Sequence, residues 1–264
     1  MKDTFGRTIR YLRISVTDRC NLRCRYCMPA SGVDLLRHED ILTFEETAEV
    51  ARAAADMGVT KVRLTGGEPL VRRGIVHLVQ ALAQIDGILD LAMTTNATLL
   101  SNYAQALADA GLHRVNISLD TLDPAGYRAL TRGGDLQAAL AGIDAAQVAG
   151  LTPIKLNCVT GENGGAEPAL EEFGRARGIE VRTIRRMDFG AGSFSVVEGG
   201  SGGDCPRCNR LRLSSDGHIR PCLFSDISFS VRELGPAEAL KRAVLNKPQA
   251  GGPCEHNWMH GIGG

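Results

Sequence analysis

The sequence carries no excess charge of either sign. Its 30 Lys and Arg residues are matched by 30 Asp and Glu residues, for a formal net charge of zero. A strong imbalance would suggest nucleic acid or a membrane surface as partner; neither is expected here. Long apolar runs are missing as well, so no transmembrane helix is expected. Met1-Lys2-Asp3-Thr4-Phe5 is not followed by an apolar h-region, which argues against a signal peptide. The cysteines lack the even spread of a secreted disulfide scaffold. Eight are present, in two tight groups plus Cys158 and Cys254. That favours metal binding in a reducing cytoplasm over disulfides. What the chain does have is a 44% hydrophobic content over 264 residues, enough for a sizeable core. The length suits two average domains or one barrel of alternating strands and helices.

The organising stretch is Cys20-Asn21-Leu22-Arg23-Cys24-Arg25-Tyr26-Cys27, directly after the apolar run Tyr11 to Val16. Its C-x₃-C-x₂-C spacing puts three thiols on one short loop. A cubane iron–sulfur cluster usually takes four cysteines, so a triplet leaves one iron open for chemistry. A partial zinc site is the alternative.

Residues 9–16 read as a strand. Thr43 and Glu46 form a capping box that opens a helix to about Met57, ended by Gly58. Strands are then expected at 59–65, 88–94, 114–119, 154–159 and 179–184. Helices are expected at 75–85, 99–110, 136–149 and 166–176. This alternation predicts an α/β fold with a parallel sheet and outer helices. The strand–helix units are too few to close an eight-stranded barrel, so an open or partial barrel is expected. Ligands of such sheets sit at the C-terminal strand ends, where Cys20, Gly66, Asn96 and Asp120 fall. After Asp188 the chain turns glycine-rich up to Gly203. A hairpin over 211–224 with an Asp216-Gly217 turn and a helix over 236–245 follow. The expected division is 1–188 and 189–264.

Three further constellations carry chemistry. Cys205, Cys208 and Cys222 form C-x₂-C-x₁₃-C, either a second cluster site or a zinc ribbon completed by Cys254 or His218. Gly66-Gly67-Glu68-Pro69 follows a strand: the glycines let backbone approach a ligand closely, and Glu68 offers a carboxylate. Alone it is also an ordinary turn. Arg13, Lys61, Arg63, Lys155 and Arg182 lie on strands, where burying a charge demands an anion. That anion is a substrate or a salt-bridge carboxylate. Arg forks suit a polyphosphate. His38 and His77 read as surface residues.

C-x₃-C-x-Y-C resembles the signature of radical S-adenosylmethionine (SAM) enzymes, and the string Cys205-Pro206-Arg207-Cys208-Asn209-Arg210-Leu211-Arg212-Leu213 with Cys222-Leu223-Phe224 closely resembles the GTP 3′,8-cyclase family of molybdenum cofactor biosynthesis. The resemblance runs from Arg7 to Gly264. It implies a partial (β/α)6 radical-SAM barrel with a C-terminal extension carrying a second 4Fe–4S cluster. It implies two 4Fe–4S clusters as cofactors, on Cys20, Cys24 and Cys27 and on Cys205, Cys208 and Cys222, with SAM on the open iron of the first. SAM contacts are implied for Tyr26, Gly67, Glu68, Thr94, Asn96, Ser118 and Met187. GTP contacts are implied for Arg13, Lys61, Arg63, Lys155, Arg182, Arg210 and Arg212. Arg13, Lys155 and the terminal Gly263 and Gly264 are the implied catalytic set. The implied partners are GTP and a flavodoxin- or ferredoxin-like electron donor, with no nucleic acid and no membrane; a homodimer is left open. The cytoplasm is the implied location. Ala97 stands where the family usually has glycine, 161–166 departs from its usual loop, and 188–205 is shorter than in the family. These departures leave a second reading: a radical-SAM paralogue acting on another nucleotide or a peptide. An electron carrier or zinc-stabilised module is the third.

Overall fold

A computed structural model describes residues 1–160, 165–188, 191–192, 194–197 and 202–254. Six strands alternate with helices: β1 Tyr11–Ser15, α1 Phe44–Asp56, β2 Lys61–Thr65, α2 Ile75–Ala83, β3 Asp90–Thr95, α3 Ala104–Asp109, β4 Arg114–Ser118, α4 Pro124–Thr131, α5 Leu136–Val148, β5 Lys155–Thr160, α6 Pro168–Ala176 and β6 Glu180–Arg185. They pair in parallel in sequence order. This is the partial (β/α)6 arrangement expected. The capping box forms: the Glu46 N–H donates to Thr43 Oγ1 at 3.1 Å, and the Thr43 N–H donates to Glu46 Oε2 at 2.7 Å.

Three differences from expectation have physical reasons. The helix expected at 99–110 is broken into a 3₁₀ turn, Leu100–Asn102, and the short α3. Helix α4 is absent from the sequence expectation, which runs from the strand at 114–119 directly to the helix at 136–149. Its signal lay in the cap: Asp123 accepts from the N–H groups of Ala125 and Gly126, and Pro124 follows at the first helical position. The hairpin is shorter than expected, with β7 Arg210–Leu213 and β8 His218–Arg220. Pro221 cannot donate to a ladder and stops β8, so Cys222 lies just past the strand. A two-residue strand β9, Phe229–Ser230, and helices α7 Val231–Leu234 and α8 Pro236–Leu245 complete the chain.

β7 pairs in parallel with β1, opposite β2, while β8 and β9 add antiparallel. The sheet order is β6-β5-β4-β3-β2-β1-β7-β8-β9. Parallel strands covered on both faces read as continuous apolar runs. Here they alternate. Leu12, Ile14, Val62, Leu64, Leu91, Met93, Val115 and Ile117 face the helices and form the core. The opposite face carries Tyr11, Arg13, Lys61, Arg63, Thr94 and Asn116 and is largely polar.

Candidate active site

Cys20, Cys24 and Cys27 leave the C-terminal end of β1 on a loop that α4 holds in place. The Arg23 and Arg25 N–H groups donate to the carbonyls of Thr131 and Leu130 at 3.1 and 3.0 Å. The Arg132 guanidinium donates to the carbonyls of Arg23 and Met28 at 2.8 and 2.9 Å. The three thiols line one cavity with Tyr26, Gly67, Glu68, Thr94, Asn96, Ser118 and Met187. All seven expected cofactor-contact residues therefore share a wall with the cysteines. Burial pushes the Cys20 thiol up to about 11 and those of Cys24 and Cys27 to about 12. Thiolates form there only with a cationic partner, as metal ligation provides.

The Gly66–Gly67 pair does something different from the sequence reading. Its glycines admit chain against chain. The Gly67 N–H donates to Thr17 O and the Glu68 N–H to Arg19 O, both at 2.8 Å. A Cβ on Gly67 would stand 2.3 Å from the Arg19 carbonyl oxygen. The pair thus locks the Glu68 loop to the segment leading into Cys20. Glu68 is buried and accepts from the Leu70 and Asn96 N–H groups at 3.1 and 2.7 Å and from Thr95 Oγ1 at 2.8 Å. Burial outweighs these bonds and raises its carboxyl to about 7. An ammonium in the cavity would favour the ionised form. Asn96 Nδ2 donates to Asn21 Oδ1 at 2.9 Å and so ties β3 to the cysteine loop. Ala97 takes the left-handed conformation at φ 64°, which glycine adopts more easily. The turn forms nonetheless, with the Ala97 N–H donating to Thr95 Oγ1 at 3.0 Å.

Cys205, Cys208 and Cys222 line a second cavity with Arg210, Arg212 and Lys247. Lys247 is buried and donates to the carbonyls of Arg210 and Pro221 at 2.8 and 2.6 Å. Burial opposes ionisation of Cys208, but Lys247 and Arg210 overcome it and hold the thiol below its usual value. His218 faces away from this role, with Nδ1 on Asp216 at 3.2 Å. Cys254 packs with Leu223 and Phe224 beside Cys222. Among the described residues no group of three or more His, Cys, Asp or Glu side chains closes on a single metal-ion position. A cubane spreads its thiolates wider than one ion does.

The sheet face that ends at this second cavity is cationic. Arg13 stands in register with Arg63 on β2 and Arg212 on β7. All three are buried, which pulls each guanidinium down to about 10 and leaves it charged at neutral pH. Like charges side by side on a sheet are costly, and an anion in the cavity offsets that cost. Lys61, Lys155 and Arg182 hold carboxylates: Lys61 meets Asp90 at 2.9 Å, and Lys155 and Arg182 meet Glu180 at 2.5 and 2.6 Å. The salt-bridge alternative describes these three as they stand. Gly263 and Gly264 lie outside the described residues.

Residues 14–171 match the Radical SAM superfamily. The chain is 42% identical to a GTP 3′,8-cyclase of Alkaliphilus oremlandii over 94% of this chain and 93% of the relative. It is 41% identical to a GTP 3′,8-cyclase of Moorella thermoacetica over 99% of this chain and 96% of the relative. The chain belongs to the GTP 3′,8-cyclase family of the radical SAM superfamily. The alignments span 300 and 311 positions against 264 residues here, so these cyclases carry stretches that this chain omits. Among solved structures, SuiB of Streptococcus suis aligns at TM-score 0.59 and 22% identity, over 69% of this chain and 40% of that one. Methylornithine synthase PylB aligns at 0.55 and 20%, over 69% and 54%. At these identities they support the radical-SAM fold.

Sequence reasoning left one residue of this cyclase-family site without a role. Asp120, at the end of β4, accepts from Tyr26 Oη at 2.8 Å and from the Val159 N–H at 2.6 Å. It joins the cysteine loop to β5. Its place at a strand end was the available signal; the partner tyrosine, far off in sequence, was not.

Proposed function

We propose that this chain is a radical SAM GTP 3′,8-cyclase, which converts GTP to 3′,8-cyclo-7,8-dihydro-GTP in molybdenum cofactor biosynthesis. The observation that carries the reading is the cationic row Arg63–Arg13–Arg212, which crosses one sheet face and ends at the second cysteine-lined cavity, where Arg212 forms part of the wall. A family kinship alone does not demand it; a polyphosphate substrate does.

In this reading Cys20, Cys24 and Cys27 hold the first 4Fe–4S cluster, and Cys205, Cys208 and Cys222 hold a second. The first cluster, when bound, supplies the electron that cleaves SAM to methionine and a 5′-deoxyadenosyl radical, which removes the 3′ hydrogen of GTP. Glu68 receives the SAM ammonium; Gly67, Thr94, Asn96, Ser118, Tyr26 and Met187 shape the rest of that cavity. Arg13, Arg63, Arg210 and Arg212 hold the triphosphate, and Lys61, Lys155 and Arg182 release their carboxylates to join them. We assign the catalytic set to Arg13, Lys155 and the terminal Gly263 and Gly264. A carbon radical attacks almost any C–H bond it meets, so the enclosing residues must fix the reacting atoms and exclude water. Residues 1–188 form the SAM barrel and 189–264 the second-cluster region. Oxygen-labile clusters suit a reducing cytoplasm, with a flavodoxin- or ferredoxin-like donor.

The test is an anaerobic reaction of reconstituted protein with SAM, dithionite and GTP, read by mass spectrometry. Expected are 5′-deoxyadenosine and a GTP isomer in proportion, both lost in Cys24→Ala. The stretches omitted relative to the cyclases favour one competing reading, a paralogue acting on another nucleotide or a peptide. It predicts slow 5′-deoxyadenosine formation that GTP does not stimulate.

A further inference from the structure

Tyr11 lies on β1 between Lys61 of β2 and Arg210 of β7, its neighbours in register. It is buried, and its ring meets three cations at once. Lys61 Nζ stands 5.2 Å from the ring centroid, and the guanidinium carbons of Arg63 and Arg210 stand at 5.7 and 5.9 Å. Other cation–ring contacts among the described residues pair one cation with one ring, such as Arg72 with Phe44. Crowded cations repel and turn toward solvent or the nearest carboxylate; Asp90 already draws Lys61 sideways. The negative face of an aromatic ring gathers them without neutralising them.

We propose that Tyr11 is a positioning residue of the anion site: its ring holds Lys61, Arg63 and Arg210 together against their mutual repulsion, and its phenolic proton is coupled to the binding of a polyphosphate there. This rests on the reading of the cavity as a triphosphate site. The groups around the phenol are Arg13 on its own strand, Lys61 and Arg63 on β2, and Arg210 and Arg212 on β7, with Asp90 of β3 and Arg114 of β4 beyond Lys61. Burial alone would raise the phenol, but Arg13, Arg63, Arg210 and Lys61 outweigh it and bring it down to about 8. Once ionised, Tyr11 competes for the cations the substrate needs. A bound triphosphate pushes the proton back on, so by linkage affinity falls as pH rises through that value.

Calorimetric titration of GTP into the reconstituted protein, without SAM, at pH 7 and pH 9 tests this. The wild-type Kd should rise roughly tenfold over that interval, as a proton with a pKa near 8 dictates. Tyr11→Phe keeps the ring and loses the proton, so its Kd should stay flat apart from the titration of GTP itself, which both proteins share. Tyr11→Leu loses the ring and should weaken binding roughly tenfold at both pH values. Parallel pH profiles in wild type and Tyr11→Phe overturn the proposal while leaving the triphosphate site intact. Wild-type binding by Tyr11→Leu overturns it too; if that variant does not fold, the Tyr11→Phe comparison decides alone. Failure of the wild type to bind GTP at either pH overturns both this proposal and the reading beneath it.

Discussion

Gly67 leaves no room for a side chain. An added methyl would sit 2.3 Å from a backbone oxygen, not from a flexible side chain that can swing away. Gly67→Ala should therefore cost about 2–3 kcal/mol, the upper range for an overpacked position, and loosen Glu68 from Arg19. Urea unfolding measures the first effect, and SAM affinity of the reconstituted protein the second. A variant of wild-type stability would mean that the loop approaches the cysteine segment less closely than described. The motif was legible in the sequence as two glycines and a carboxylate. What the glycines approach was not, because the partner is the backbone of Thr17–Arg19, some fifty residues earlier.

At the scale of elements, α4 is a support for the cysteine loop. Its last carbonyls, on Leu130 and Thr131, receive the loop's N–H groups, and its first turn hangs on the Asp123 cap. Asp123→Ala should lower stability by about 1 kcal/mol, as lost caps do, and weaken the retention of iron. Thermal melts and iron analysis after gel filtration check this; unchanged iron retention would separate the helix from the loop. The β7–β8 hairpin gives a pH-dependent counterpart. Asp216 is drawn down to about 2, against its burial, by His218 and Ser214, and the bond to Asp216 lifts His218 above its ordinary value. A lowered carboxylate stabilises above its unfolded pKa and is lost as pH falls through about 2. A raised histidine stabilises below its unfolded pKa and is lost as pH rises through the folded one. The pair is therefore strongest between those limits. Both side chains are about one-third exposed, so Asp216→Asn should cost only about 1 kcal/mol at pH 5 and less at pH 9. Denaturant melts at the two pH values measure it; equal losses would show that the ion pair is not the cause. Strands and long helices were legible because apolar residues repeat along them. α7 and β9 escaped because each is too short to show a period.

For the whole molecule, the decisive contact is β7 against β1, which joins the C-terminal region to the barrel sheet. No local pattern announces a parallel pairing across some two hundred residues. Lys247 fastens the hairpin that supplies β7: its ammonium bridges the carbonyls of Arg210 and Pro221. Lys247→Met keeps the stem and strands both carbonyls. Losing two charge-assisted hydrogen bonds should cost about 2–4 kcal/mol. With the second cluster proposed above, iron content should fall toward half while SAM binding persists, because only the second triplet lies beside this lysine. Loss of both together would mean that the two regions fold as one unit.

β1 also sets a length. It has five residues and is hydrogen-bonded along both edges. One cysteine loop departs from its end, and the other cysteine segment leads into β7 beside its start. Five residues of strand rise roughly 17 Å. A doubly paired strand cannot slip by one residue without turning every side chain to the wrong face. β1 is thus a ruler of fixed span held between two reactive ends. In the cyclase reading, a molecule that is to touch both ends must match that span.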